Sequence, residues 1–411
     1  MTAEDEIRRL IAARGRITFA EFMEVALYYP VGGYYTSRER VGASGDYYSS
    51  PSAHPAFGGL LAVQLLQAWQ LLGKPVPFTI VEAGAGNGLL CRDILTAASA
   101  LSSPFREALR YVCIDRRRSQ GLEAGLDGVS RIASDGLPLQ GSAGCVLFNE
   151  LLDALPVHQV TLDGGQLKEI FVTEQDGQLA LWTGEPSTPL LEQRLSALGV
   201  QLQEGQVAEV NLAVHGWIKR MAEALDRGFV LAMDYGRLAE DLYSPAHRFR
   251  GTLTTYRNHL QTDRPLAHIG EQDISAQVDF TTVATKARNV GLDVLGYASQ
   301  AEFLHNLGMG RLLGRLAGGP GRHQSSRMAM RELVKPEGLG AFRVMALGKS
   351  VGHPELWGFH QTAEAVDMVE QLPLPVPTPE HVDLLSGRYP WHDVELDVSW
   401  ETLWPDDEPT W

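Results

Sequence analysis

The segment with the clearest chemistry is Glu82-Ala83-Gly84-Ala85-Gly86-Asn87-Gly88, set between a short apolar run and a helical pattern. Glycines are needed where backbone turns sharply and lets a ligand approach closely. The spacing is G-x-G-x-G, whereas dinucleotide sites use G-x-G-x-x-G. No Lys-Ser/Thr pair follows, so phosphate cradling has no support. Glu82, just before the loop, would repel a pyrophosphate but suits a cationic ligand. Asp115 ends the next apolar run, where a carboxylate can take ribose hydroxyls. Asp135 follows the run after that, placed to accept from an adenine amino group. A glycine turn, a ribose acid and an adenine acid on successive strands fit S-adenosylmethionine, which is positively charged and has no phosphate. The donor would then be held through Glu82, Gly84, Gly86, Asn87, Gly88, Asp115 and Asp135. A plain strand–helix turn is the alternative for the loop taken by itself.

Placing these groups at one edge requires strands that alternate with helices. Strand-like runs occur at Phe78–Glu82, Arg110–Asp115, Val129–Ala133, Gly144–Phe148, Phe229–Asp234, Asp293–Tyr297 and Phe342–Leu347. Helical periodicity separates them, as at Leu89–Ala100 and Val278–Val290. The pattern predicts an α/β chain with an open parallel sheet covered by helices on both faces. Between 157 and 227 the alternation breaks. There Asp163-Gly164-Gly165 and Gln175-Asp176-Gly177 join three short runs as hairpins, predicting an antiparallel insertion. Excursions at 237–275 and 300–337 extend from later strands and could build a substrate pocket. Residues 1–75 read as N-terminal helices plus a polar Tyr/Ser/Gly-rich loop, 76–350 as the main domain, and 351–411 as an extension.

Composition narrows the field. Of 411 residues, 44% are hydrophobic and 21% charged, an ordinary globular mix. No apolar run reaches the ~18–20 residues of a membrane span. The acidic N-terminus lacks the features of a signal or transit peptide, so the expected location is cytoplasmic. The net charge is −15, with thirteen acids against one base, Arg388, between Val351 and Trp411. Without a basic surface, nucleic acid is not an expected partner. Three scattered cysteines (Cys91, Cys113 and Cys145) argue against disulfides, and no metal-ligand spacing is present.

Several longer motifs resemble the MidA-like methyltransferases, the family of the mitochondrial complex I assembly-factor methyltransferases and their bacterial relatives. They run in order over roughly Phe19 to Lys349. Among them are Ala26-Leu27-Tyr28-Tyr29-Pro30 with Gly33-Tyr34-Tyr35, and Gly45-Asp46-Tyr47 through Ser50-Pro51. Asn149-Glu150-Leu151-Leu152-Asp153-Ala154-Leu155-Pro156, Asp234-Tyr235-Gly236, and Gly251-Thr252-Leu253 with Tyr256 and His259 follow. Gly270-Glu271-Gln272-Asp273-Ile274 to Val278-Asp279-Phe280, then Gln300 with Phe303-Leu304, complete the series. The resemblance implies a seven-stranded, Rossmann-like class I methyltransferase fold. It also implies S-adenosylmethionine as donor and, for the best-known members, symmetric dimethylation of an arginine in a respiratory complex I subunit. Two features depart from the family: Asp115 is followed by Arg116-Arg117-Arg118 in place of a Ser-Pro-like turn, and the stretch beyond Lys349 has no counterpart.

Arginine chemistry needs carboxylates, because a guanidinium has a pKa above ~12 and presents a rigid fork of donors. Glu150 is therefore expected to orient the guanidinium and Asp153 to support it or accept its proton, with Asn149 beside the donor. The alternative is that both acids merely charge a helix start. Tyr35, Asp46 and Ser50 belong to the loop expected to close over the donor. Tyr235, Tyr256, Asp273 and Asp279 are candidates to line the acceptor groove and His259 to shuttle a proton, although each could be a satisfied structural group. A protein substrate is the expected partner, with a homodimer left open. A small-molecule O- or N-methyltransferase and a donor-binding, non-catalytic assembly factor are the rival readings.

Overall fold

A computed structural model describes residues 1–37, 49–117, 121–257, 260–317 and 321–381, with the side chains of Ser37 and of 321–324 left aside. Its centre is a seven-stranded sheet. In chain order the strands are β1 (Phe78–Ala83), β2 (Leu109–Asp115), β3 (Val129–Ala133), β4 (Ser142–Asn149), β5 (Leu225–Asp234), β6 (Asp293–Ser299) and β7 (Arg343–Lys349). Across the sheet they lie in the order β6-β7-β5-β4-β1-β2-β3. The chain proceeds from β1 outward to β3, then crosses back to β4 on the other side of β1. This reversal opens a crevice beyond the carboxyl ends of β1 and β4, where doubly wound sheets bind ligands.

All seven expected strands form, but the sheet is mixed. β7 runs antiparallel to both β5 and β6. Its interior residues Val344, Met345, Ala346 and Leu347 are buried, with neighbours on both faces, so its apolar run looks like that of a parallel strand. Hydrophobic pattern reports burial, not direction.

Helix Ala56–Leu71 is apolar around its whole circumference and correspondingly buried. It packs against one face of the sheet with Leu89–Leu101, the helix that leaves the glycine loop. Val214–Ala224 and Phe280–Asn289 cover the other face. The second of these helices starts later than its periodicity suggests. Val278–Asp279 instead pairs with Gly236–Arg237, and Asp279 caps the helix by accepting from the Thr281 and Thr282 amides.

The insertion is antiparallel, as its hairpin signals predict. His158–Asp163, Gln166–Gln175, Gln178–Gly184 and Val207–Val210 form a sheet that Ile17–Thr18 joins from the N-terminus. Helices Ala3–Arg14 and Phe19–Tyr28 each begin at a threonine capping box, and pack beside this sheet. Asp393-Val394-Glu395-Leu396-Asp397-Val398, whose strict alternation predicts a half-buried strand, lies outside the described residues. Among the described residues no helix is long and apolar enough to cross a membrane.

Candidate active site

The crevice predicted by the strand order holds a cavity enclosing about 1270 Å³ of empty space, its open mouth included. Its floor is the glycine loop. Gly84, Gly86 and Gly88 all have positive φ, the backbone region that glycine enters without a steric cost. A Cβ on Gly86 would meet nothing within 4 Å, so its missing side chain leaves open space. Gly88 does not line the cavity; it starts helix Leu89–Leu101 and is packed against Glu123. Arg131 pairs with Glu123 and donates from Nη2 to the Gly86 carbonyl at 3.0 Å. The outer strands β2 and β3 thus fasten the loop from below.

Each acid at a strand end has distinct surroundings. Glu82 is buried, lines the cavity and accepts from the Tyr111 hydroxyl at 2.8 Å. Burial pushes its carboxyl up to about 8. Asp115 accepts from the Gly86 amide at 2.9 Å and from the Arg117 amide at 2.9 Å, and it lines the cavity. Asp135 is exposed on the rim beside Ser134. Asn149 lines the opposite side; its Nδ2 donates to Glu150 Oε1 at 2.6 Å, while its Oδ1 is buried without a partner among the described residues. An unsatisfied buried acceptor in the wall of a cavity matches a ligand that brings donors. Together with the space over Gly86 and the acids at the ends of β1 and β2, it fits S-adenosylmethionine.

Beyond β4 the backbone turns sharply, and Glu150 takes φ +54°, an uncommon conformation for a residue with a side chain. Asp234, fully buried at the end of β5, holds this turn. Its Oδ2 accepts from Leu151 N at 3.1 Å and Leu152 N at 2.8 Å, and its Oδ1 accepts from Tyr235 N at 2.8 Å. Glu150 lines the cavity and receives the Ser50 amide at 3.3 Å. Burial is the main cause that raises its carboxyl to about 8, with Asp234 and Asp273 adding repulsion. Asp153 is driven up in the same direction, first by burial and then by Asp234, Asp273 and Glu150. Tyr35 lines the cavity, stacks on Tyr28 with ring centroids 5.5 Å apart, and donates to Asp273 Oδ1 at 2.7 Å. Tyr256 lies opposite Asp273 in a small antiparallel sheet, and Tyr235 packs on Phe342.

The structure lines this crevice with Tyr35, Glu82, Gly84, Gly86, Asn87, Asp115, Asp135, Asn149 and Glu150, whereas Gly88, Ser50, Asp153, Tyr235, Tyr256, Asp273 and Asp279 stand outside its lining. Asp279 lines a separate small cavity with Arg194 and Glu209, its carboxylate committed to the helix cap. Ser50 is buried and gives its hydroxyl to Gln300 Oε1 at 2.9 Å, so its neighbours Ser49, Pro51 and Ser52 form the wall instead. Asp46 and His259 lie outside the described residues. Trp217, Tyr28, Ile114, Arg116 and Arg117 also line the cavity, although sequence reading did not assign them to the donor site. Trp217 comes from the helix that follows the insertion, and nothing in its local spacing signals that position. Arg116 did carry a signal, the unusual Arg-Arg run after Asp115. Its guanidinium lies 3.8 Å from the Tyr28 ring centroid.

Strand order, glycine turn and paired acids define a class I methyltransferase with an S-adenosylmethionine pocket. Comparison with known proteins agrees. Residues 60–298, more than half of the chain, match the family described as "Putative S-adenosyl-L-methionine-dependent methyltransferase", and the chain belongs to that family. It is 28% identical over 380 residues to the mitochondrial protein arginine methyltransferase NDUFAF7 homolog of Drosophila melanogaster, covering 83% of this chain and 84% of that protein. The human mitochondrial protein arginine methyltransferase NDUFAF7 is 26% identical over 331 residues, covering 73% and 71%. A methyltransferase-like crystal structure from Burkholderia thailandensis, bound to S-adenosyl-homocysteine, superposes with a TM-score of 0.77 at 29% identity. That match covers 87% of this chain and 94% of the other. The protein is an S-adenosylmethionine-dependent methyltransferase.

Proposed function

We propose that the acceptor is an arginine side chain of a protein partner. The observation that carries this reading is the set of carboxylates Glu150, Asp153 and Asp273, gathered with Tyr28, Tyr35 and Tyr256 beside the donor cavity. Mutual repulsion and burial make such a set unfavourable until a cation enters. A guanidinium is the side chain whose charge and flat fork satisfy several carboxylates at once.

When bound, S-adenosylmethionine would supply an electrophilic methyl group, its S–CH3 bond breaking as the N–C bond forms and S-adenosylhomocysteine leaving as the neutral thioether. Glu82 would receive the donor's cationic end, Asp115 its ribose hydroxyls, and Ser134-Asp135 its adenine amino group. Glu150 orients the guanidinium nitrogen, and Asp153 accepts the proton that leaves when the new N–C bond forms. His259 is assigned to carry that proton onward, Tyr235 and Tyr256 to flank the acceptor chain, and Asp46 to the donor side of the loop. Sequence relationship to protein arginine methyltransferases supports this reading and directs the search for a partner to a respiratory complex I subunit.

Incubation with labelled donor and host lysate should put label into a protein, as methylarginine after hydrolysis. Glu150→Gln should retain donor affinity near the wild-type value while transfer falls by about 100-fold or more. Label in small molecules alone would refute the proposal, and turnover preserved within a few-fold in Glu150→Gln would remove Glu150 from the chemistry.

A further inference from the structure

Tyr111 sits in the middle of β2, opposite Ile80 of β1 in register, so its side chain lies on the same face as Ile80 and Glu82. Its ring is buried among the apolar residues between the sheet and helices Ala56–Leu71 and Leu89–Leu101. Phenylalanine would satisfy that packing. The hydroxyl instead reaches diagonally along the sheet to Glu82 Oε2 at 2.8 Å. A buried phenol in an otherwise apolar setting thus spends its polar atom on the one β1 carboxylate that lines the donor cavity.

We propose that Tyr111 is a positioning residue of the donor site, its hydroxyl fixing the Glu82 carboxylate as the receiver of the donor's positive end. Four other ionisable groups face Glu82: Arg131 from β3, Glu123 and Asp115 with like charge, and the Cys113 thiol, its register partner on β2, which Cys91, burial and the Glu82 charge keep protonated. Arg131 hydrogen-bonds Glu123 and the Gly86 carbonyl and acts on Glu82 through its charge alone. The remaining direct support is the Tyr111 hydroxyl. A hydrogen bond to an ionised acceptor favours the charged form, and burial opposes it. The phenol itself is held in its protonated, donating form by burial and by the nearby carboxylate. Without the hydroxyl, Glu82 would accept a proton more readily and donor binding would have to displace it.

The test is S-adenosylmethionine binding by calorimetry from pH 6 to pH 9. The donor's own amino group titrates equally in every comparison, so differences between proteins belong to the site. Tyr111→Phe should weaken binding by about tenfold near pH 7, with the deficit shrinking to about twofold by pH 9, where Glu82 is mostly ionised in the wild type and about half ionised in the variant. In a Glu82→Gln background the same substitution should have no further effect. A deficit that is constant with pH, or one that persists when Tyr111→Phe is added to Glu82→Gln, would overturn the proposal. Should Tyr111→Phe fail to fold, 3,5-difluorotyrosine at position 111 keeps the shape and strengthens the donor. It should move the binding curve to lower pH, and an unmoved curve would equally refute the role.

Discussion

A carboxylate oxygen of Glu123 occupies the place where a Cβ on Gly88 would stand. The last glycine of the loop is thus fixed by its own protein, whereas the middle one borders open space in the cavity. Gly88→Ala must push Glu123 away from Arg131 and hold alanine at φ +78°, which costs on the order of 1–3 kcal/mol before any repacking. It should lower the melting temperature even without donor. Gly86→Val meets open space and displaces no side chain, so in the ligand-free protein it carries only the backbone cost of a β-branched residue at φ +51°, while it should abolish binding. Thermal melts and calorimetry on both variants separate the two roles. Wild-type donor affinity in Gly86→Val would remove the loop from the binding site.

The ligand-free protein should lose stability as pH rises from 6 to 8.5. Glu82 and Glu150 are raised to about 8 and Asp234 to about 7, from ordinary values of 4.5 and 3.8. Between these limits the folded chain keeps protons that the unfolded chain has released. Stability is therefore fully present below about pH 4 with respect to these three groups, and is lost as pH climbs through 7 and 8. Carboxylates held low by partners, such as Glu123 and Glu169, are ionised in both states across this window and cancel. Calorimetric melts at half-unit pH steps should show the midpoint falling, with donor present reducing the slope through Glu82. A midpoint that rises over the same range would mean these acids are ionised in the folded protein.

Much of the cavity's lining was legible because strand ends converge. Glu82, Asp115, Asp135 and Asn149 each follow an apolar run, and an alternating β/α chain brings all such ends to one edge. Direction was not legible in β7, because a strand covered on both faces looks alike either way. Nor does residue type reveal whether a short polar side chain faces a cavity or the backbone. Asp279 and Ser50 carry the same chemistry as their neighbours, yet one caps a helix and the other bonds Gln300. Trp217 and the Arg131 bond to the Gly86 carbonyl depend on contacts between segments far apart in sequence, and no local pattern encodes these.

The residues after Ser350 should be needed for stability, although they are remote from the loop chemistry. Leu356, Val369 and Leu372 are buried in the same core as helix Ala56–Leu71, and Ala365 is fully buried. Gln67 accepts the Trp357 amide at 2.9 Å, and Gln64 accepts the Gly358 amide at 2.8 Å. Further on, Arg92 pairs with Glu380, and the His381 ring lies 2.9 Å from Asp93 on helix Leu89–Leu101. Truncation after Ser350 strips a cover of apolar side chains, each worth roughly 1.5–3 kcal/mol when fully buried, and removes the Gly358 amide from Gln64 Oε1 and the Glu355 carbonyl from Gln67 Nε2. The truncated protein should melt well below wild type and expose apolar surface to a hydrophobic dye. Saturating donor should raise its melting temperature, because the glycine loop and the acids of β1 and β2 all precede the cut. An unchanged melting temperature and dye response would show that this segment contributes nothing to the core it covers.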